Sequence, residues 1–325
     1  MSTEVLNDQL KDQKRRVFAL GKRKPNRLST VPLHLMLIPT VVLLFIYQYL
    51  PITGNVIAFQ EFDVYLGLRA FVDSEWVGFA NFRRLFNMGS PMRAFRNTVI
   101  IAAWKISTGW IVPIIVALLL NEVRQSWVKR SVQTIIYIPH FVSWVIMGGI
   151  IRQLLLSDGI VNQLVQDIFN VAPIPFLQSN TWFRPVVIVT DIWKGFGFGT
   201  IVYLASIAGI DPNLYEAAVV DGAGRWQQTK HITLPGMSII MVLTLVLALQ
   251  NVLNAGFDQI FNLYNVQVYE TGDIIDTYIY RLTFESMTPQ YSVATAVGLF
   301  KSVVALFFIS TSYWLAKRFA GYRLF

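Results

Sequence analysis

The stretch EAAVVDGAGRWQQTKHITLP, residues 216–235, is a polar, partly basic loop set between two long apolar runs. Its reading decides the fold. Just upstream, in IDPNLYEAAVVDGAG, Asp211 can cap a helix, Pro212 suits the first helical position, and Gly222 supplies the left-handed residue that ends it. The spacing predicts a short helix of about ten residues, then a turn and a second helix from Arg225 to Ile232. Leu234-Pro235 marks entry to the next apolar run, with Pro235 disfavouring helix at Leu234. Ala217, Ala218 and Ala223 are small enough to let another surface come close. Glu216 and Asp221 offer carboxylates for charge-assisted hydrogen bonds, and Tyr215 offers an apolar anchor. A solvated loop held by one cap and one turn fits the same residues equally well.

The runs on either side identify the solvent. The 325 residues are 54% hydrophobic and only 14% charged, with a mean hydropathy of +0.49, whereas a soluble domain carries about 25% charged residues. Spanning hydrocarbon takes about 20 mostly apolar residues. Windows near 31–50, 97–120, 132–155, 185–208, 236–256 and 293–316 qualify. The expected class is an all-α membrane protein of six spans: a basic tail over 1–30, then one transmembrane domain over 31–325 with the polar loop at 209–235. No internal repeat or low-complexity tract divides it. The first run lacks a small-residue cleavage signature and reads as a retained span.

Six spans place both termini on one side. The tail carries Lys11, Lys14, Arg15, Arg16, Lys22, Arg23, Lys24 and Arg27, and Arg124, Lys129, Arg130, Arg225, Lys230, Lys317, Arg318 and Arg323 fall on the same side. The opposite loops hold fewer basic residues, so the positive-inside rule puts both termini in the cytoplasm. Basic residues gathered at membrane borders account for the net charge of +8 without nucleic acid. The loops 51–96 and 257–292, rich in acids and aromatics, are expected as outer surfaces large enough to receive a protein.

Several spans carry polar groups at depth, which face a bundle interior or a wet cavity. The fourth holds Asp191, Trp193, Lys194, Gly195, Gly197 and Gly199, and its glycines are expected to loosen or bend it. The fifth ends in Gln250, Asn251 and Asn254. Asp191, Trp193, Lys194, Asn251 and Asn254 are the candidate substrate pathway, because amides and charges pair with hydroxyls and rings stack on sugars. Alternatively, Asp191 and Lys194 neutralise each other one turn apart, and the asparagines join helices. Lys105, Arg152 and Lys301 are expected to snorkel toward span ends. With no cysteine and three scattered histidines, the chain offers no thiolate chemistry and almost no metal ligands. No Ser/His/Asp arrangement falls on neighbouring spans, so no catalytic residue is assigned.

Glu216-Ala217-Ala218, Gly222, and Ile232-x-Leu234-Pro235 have the spacing of the EAA signature and resemble permease subunits of bacterial binding-protein-dependent ABC importers. Asp221 and Ala223 match the extended DGA form of sugar permeases, while Thr229 stands where that form has an aromatic. VGFANFRRLF (77–86), AFRNT (94–98), GDIIDTYIYR (272–281) and YSVATAVGLFKSVV (291–304) are similar to segments of its polysaccharide and oligosaccharide branch, related to aldouronate and alginate oligosaccharide importers.

The resemblance implies a type I ABC importer permease fold in the bacterial cytoplasmic membrane, with the EAA loop as a coupling helix docked on an ATPase subunit. Glu216 would make its polar contact, Ala217 and Ala218 would permit close approach, Gly222 would make the turn, and Asp221 and Ala223 would complete the docking surface. It also implies a second related permease, two ATPases that bind ATP and Mg, an extracytoplasmic binding protein and an oligosaccharide substrate. No cofactor is expected in this chain, which lacks G-x-x-x-x-G-K-[ST]. From the residues alone, the alternative is a secondary transporter driven by an ion gradient through Asp191 and Lys194 in a broken span.

Overall fold

The computed structural model describes residues 27–320; the basic residues Lys11 to Lys24 and Arg323 lie outside them. The chain forms two units, Met1–Val56 and Ile57–Phe325. The first contains helix α1 (Arg27–Leu44), which continues through a π turn at Phe45–Tyr49 into Leu50–Ile52.

The second unit begins with a two-residue antiparallel ribbon, β1 (Gln60–Glu61) and β2 (Glu75–Trp76). Asn81 closes it onto helix α2 (Ala80–Asn87) by donating to the carbonyls of Ala58 and Gln60 at 3.0 Å each. Helices α3 (Gly89–Glu122), α4 (Ser126–Phe141), α5 (Trp144–Leu155), α6 (Ile160–Phe169) and α7 (Phe183–Ala208) follow. The polar loop contributes α8 (Pro212–Val220) and α9 (Arg225–Gln228). Beyond it lie α10 (Ser238–Leu249), α11 (Phe257–Leu263), α12 (Ile275–Tyr280) and α13 (Tyr291–Ala320). Among the described residues, five helices are long and apolar enough to cross a membrane, and six if the bent pair Arg225–Gly236 and Ser238–Leu249 counts as one.

Glycine and proline redraw the expected spans. The fourth window is one continuous helix, α7, neither loosened nor bent at its glycines. They bring neighbours close instead: a Cβ on Gly197 would stand 2.0 Å from the Ile136 carbonyl oxygen of α4, and one on Gly199 would stand 3.1 Å from the Pro113 ring of α3. The third window does not fall on one helix. Pro139 cannot donate to the ladder, the chain is extended at Val142 and Ser143, and the Ser143 hydroxyl caps α5 by accepting from the Ile146 N–H.

Leu234 stays helical ahead of Pro235, with φ −62 and ψ −45, contrary to the expected break. A π turn at Thr229–Thr233 widens the preceding helix, relieving the clash between a proline ring and the carbonyl four residues back. Leu50-Pro51 follows the π turn of α1 in the same way. The bend comes later, at Met237, and reaches 58°.

Segment 257–292, expected as an outer surface, also contributes to the core. Gln259, Ile260, Leu263, Asp273, Ile274, Ile275 and Thr277 are all buried. Ile260, Leu263 and Ile274 pack with Ile101 of α3, Met147 of α5 and Phe183 of α7. Gly272 admits the fully buried Phe183 ring, since a Cβ there would lie 2.3 Å from Cε1.

Gly197→Ala is therefore expected to lower stability by about 1–3 kcal/mol through overpacking against backbone. Gly195→Ala meets nothing within 4 Å and is expected to be neutral or stabilising. The two unfolding midpoints in detergent check the contrast.

Candidate functional site

Local chemistry builds the polar loop as its residues demand. The Asp211 carboxylate accepts from the Asn213 N–H at 2.9 Å, and Pro212 opens α8. At the other end Gly222 has φ +77, where any side chain would be strained. The Ala223 N–H donates to the Ala218 carbonyl at 2.8 Å and the Gly222 N–H to the Val219 carbonyl at 3.1 Å. This is the paired closure of a Schellman ending. Gly224 then starts α9, its N–H donating to Gln227 Oε1 at 2.8 Å.

The loop is stitched to the bundle from behind. Buried Gln228 donates to the Ala223 carbonyl at 2.9 Å, Tyr215 and Thr233 share a hydroxyl hydrogen bond of 3.0 Å, and Arg225 pairs with Glu122 at the end of α3 at 3.6 Å. Tyr215 is thus a half-buried polar tie as well as an anchor. Thr229 is half-buried and donates to the Arg225 carbonyl at 3.0 Å, so the hydroxyl is satisfied where an aromatic would need more room. A cavity of about 950 Å³ opens between the loop and the ends of α3, α4 and α7, lined by Glu122, Lys129, Tyr215, Glu216, Arg225 and others.

The signature residues of the loop stay accessible, Glu216 among them although it also lines that cavity. Glu216, Ala217, Asp221 and Gly222 are exposed, with Ala218 and Ala223 partly so. Among the described residues no hydrogen bond or ion pair holds the Glu216 side chain. Leu214, Val219, Val220 and Trp226 stand exposed around it, Val220 at 87%.

In the middle of the unit, Asp191, Asn251 and Asn254 line one cavity of about 450 Å³ together with Lys105, Trp110 and Tyr203. Trp193 and Lys194 do not line it: Trp193, two residues on, falls on the other side of α7, and Lys194, one turn on, reaches away to the carbonyls that end α4. Nor do Asp191 and Lys194 neutralise each other. Asp191 pairs with Lys105 of α3 at 3.2 Å, and Lys194 donates to the carbonyls of His140 and Val142 at 2.7 and 2.8 Å. Those carbonyls are left over where α4 breaks, so Lys194 caps a helix C-terminus. Its ammonium also lies 5.5 Å over the Trp144 ring.

Lys105 does not snorkel. Only 9% of its side chain is exposed, and it donates to the Ala255 carbonyl at 2.7 Å and to Gln259 Oε1. Gln259 is held in turn by donating to the Val187 carbonyl at 2.7 Å and to the Thr190 hydroxyl at 2.8 Å. Asn254 Oδ1 accepts from the Gly256 N–H at 3.3 Å within its own turn, so it is not an interhelical tie. Lys301 likewise pairs with Asp276 of α12 at 2.5 Å.

At the opposite pole, Arg281 pairs with buried Asp273 at 2.6 Å and lies 4.2 Å over the Tyr269 ring. Burial alone would lower the Arg281 pKa, but the hydrogen bonds and charge of Asp273, with Tyr269, raise it instead. Asn97 donates to the carbonyls of Glu270 and Asp273 and accepts from Arg184 at 2.6 Å. Sequence reasoning missed Lys105, Gln259 and this cluster. Lys105 alone carried a signal, as a cation in the second apolar run, but the position of its carboxylate partner, 86 residues away, could not be read.

A family model described as a binding-protein-dependent transport system inner membrane component matches residues 109–321. Protein LplB of Bacillus subtilis is 42% identical over 294 residues, 90% of this chain and 91% of its own length. The polygalacturonan/rhamnogalacturonan transport system permease protein YteP of the same organism is 41% identical over 307 residues, 93% and 94% of the two chains. Among solved structures, a chain in the crystal structure of a bacterial ABC transporter involved in the import of the acidic polysaccharide alginate is 38% identical. It superimposes with a TM-score of 0.81 over 90% of this chain and 96% of that one.

Removing the carboxylate beside a buried ammonium should be costly. Asp191→Ala is expected to destabilise the chain by about 1–3 kcal/mol, whereas Asn251→Ala, at an exposed side chain, should stay within about 0.5 kcal/mol. Thermal unfolding of the purified variants in detergent would show equal midpoints if the Lys105 network carried no weight.

Proposed function

Because the chain belongs to the family of binding-protein-dependent transport system inner membrane components, we propose that it is the permease subunit of an ATP-driven importer that moves an oligosaccharide or polysaccharide by alternating access. The loop 209–235 carries the coupling. Glu216 is exposed and unpaired, set on a capped helix whose end is closed by Gly222. A free carboxylate beside Ala217 and Ala218, ringed by exposed Leu214 and Val220, supports docking into a partner's cleft. Asp221 and Ala223 complete the edge of that surface.

The partners follow from this reading: a second related permease, two ATPases that bind and hydrolyse ATP with Mg, and an extracytoplasmic binding protein. A related structure is titled as a bacterial alginate ABC transporter in complex with an alginate pentasaccharide-bound periplasmic protein, which supports the last of these. The chain is a multi-pass inner membrane protein; the basic tail 1–30, both termini and the loop 209–235 lie on the cytoplasmic side in this proposal. Asp191, Asn251 and Asn254 line the substrate pathway, and Lys194 supports it as a helix cap. A secondary transporter is set aside by family membership, and the broken span that motivated it is a continuous helix, α7.

In the assembled complex, Glu216→Lys, through loss of one charge-assisted contact, and Gly222→Val, through strain at φ +77 that opens the turn, are each expected to lower uptake by roughly tenfold or more. Stimulation of ATP hydrolysis by loaded binding protein should fall with it. Wild-type uptake in both variants would remove the coupling assignment.

A further inference from the structure

Helix α11 carries Phe257 and Phe261 four residues apart, stacked with centroids 5.2 Å apart, and Tyr264 follows on the same face with its ring 6.2 Å from Phe261. Tyr280, at the end of α12, meets both phenylalanines, at 5.7 and 4.8 Å, and passes the contact to Phe284 at 5.2 Å. The rings of Phe257, Phe261, Phe284 and Tyr280 lie outside the buried core clusters, whereas Tyr264 packs against the core around Ile260 and Leu263. Phe257, Phe261 and Tyr280 are half-buried, and Phe284 is 70% exposed.

The ends of this aromatic row are polar. Phe257 begins one residue beyond Gly256, which lines the central cavity with Asp191, Asn251 and Asn254. Tyr264 lines a second cavity, of about 240 Å³, on the outer side with Arg152, Ser157, Gln178 and Asn265. Helix α11 therefore bridges two hydrogen-bonding cavities over about 10 Å. A pyranose presents apolar C–H faces and a rim of hydroxyls, so it stacks on an aromatic face while its edge pairs with amides and carboxylates.

We propose that Phe257, Phe261, Tyr264 and Tyr280 form a stacking track that carries the sugar rings of a glycan chain from the outer cavity to the central one. The proposal rests on the carbohydrate permease reading above and adds the site at which the chain is gripped. A row of π faces holds successive rings without specifying their hydroxyls, which suits a polymer that must slide.

The test uses the complete complex with its partner permease, ATPases and binding protein, and follows uptake of labelled galacturonan, alginate and maltodextrin pentasaccharides. Phe261→Leu and Tyr280→Leu keep apolar volume but remove the π face, and each is expected to lower the maximal uptake rate by roughly tenfold. Phe261→Tyr and Tyr280→Phe should transport near the wild-type rate. Wild-type uptake by the leucine variants overturns the track and leaves the carbohydrate reading standing. Equal losses in the leucine and the conservative variants overturn it in favour of packing. Failure of the leucine variants to assemble with the second permease overturns it in favour of a subunit interface. No uptake of any of the three glycans by the wild type overturns the carbohydrate reading and the track with it.

Discussion

The Lys105 ammonium is the joint on which the centre of the second unit depends. In one small volume it takes the Asp191 carboxylate of α7, the Ala255 carbonyl and the Gln259 amide oxygen. An isolated charge in that setting would be strongly unfavourable, so the three elements must stay gathered around it. Gln259 extends the constraint to Val187 and Thr190, and the turn at Gly256, with φ +88, brings the backbone to within reach of the ammonium. Segment 255–285 is thereby drawn into the bundle, where Ile260, Leu263 and Ile274 complete the core.

That arrangement links the two poles. At one, Arg184 and Asn97 tie the starts of α7 and α3 to the carbonyls of Glu270, Thr271 and Asp273. At the other, the far ends of the same helices meet the loop 209–235 through Glu122–Arg225 and through the cluster of Ile114, Ala117, Tyr203, Ile207 and Met237. Gly197 and Gly199 let α7 seat directly on α4 and α3, so these helices meet through close contact with little slack between them.

The loop was legible because its determinants are local. A cap at Asp211, a proline at Pro212 and a left-handed glycine at Gly222 act within a few residues, and each is seen in its expected role. The proline at 235 misled for a related reason: its effect on Leu234 depends on the helix before it, and a π turn removes the clash. The glycines of α7 misled because their meaning lies across the interface, in what they let approach. Trp193 and Lys194 joined the candidate pathway as an aromatic and a charge suited to a sugar, yet Lys194 spends its ammonium on the carbonyls where α4 ends and neither residue lines the central cavity.

By itself the sequence determined the class of the protein, its apolar runs, and the polar loop with its exposed Glu216, because composition, periodicity and capping are properties of neighbouring residues. Only the tertiary structure decided which charges pair and what the outer segment does. Asp191 chose Lys105 over Lys194, Lys301 chose Asp276, and residues 257–285 supplied part of the core and an aromatic row. Such choices depend on which groups meet across distant helices, and the cost of burying an unpaired charge or amide is settled only when those helices have packed.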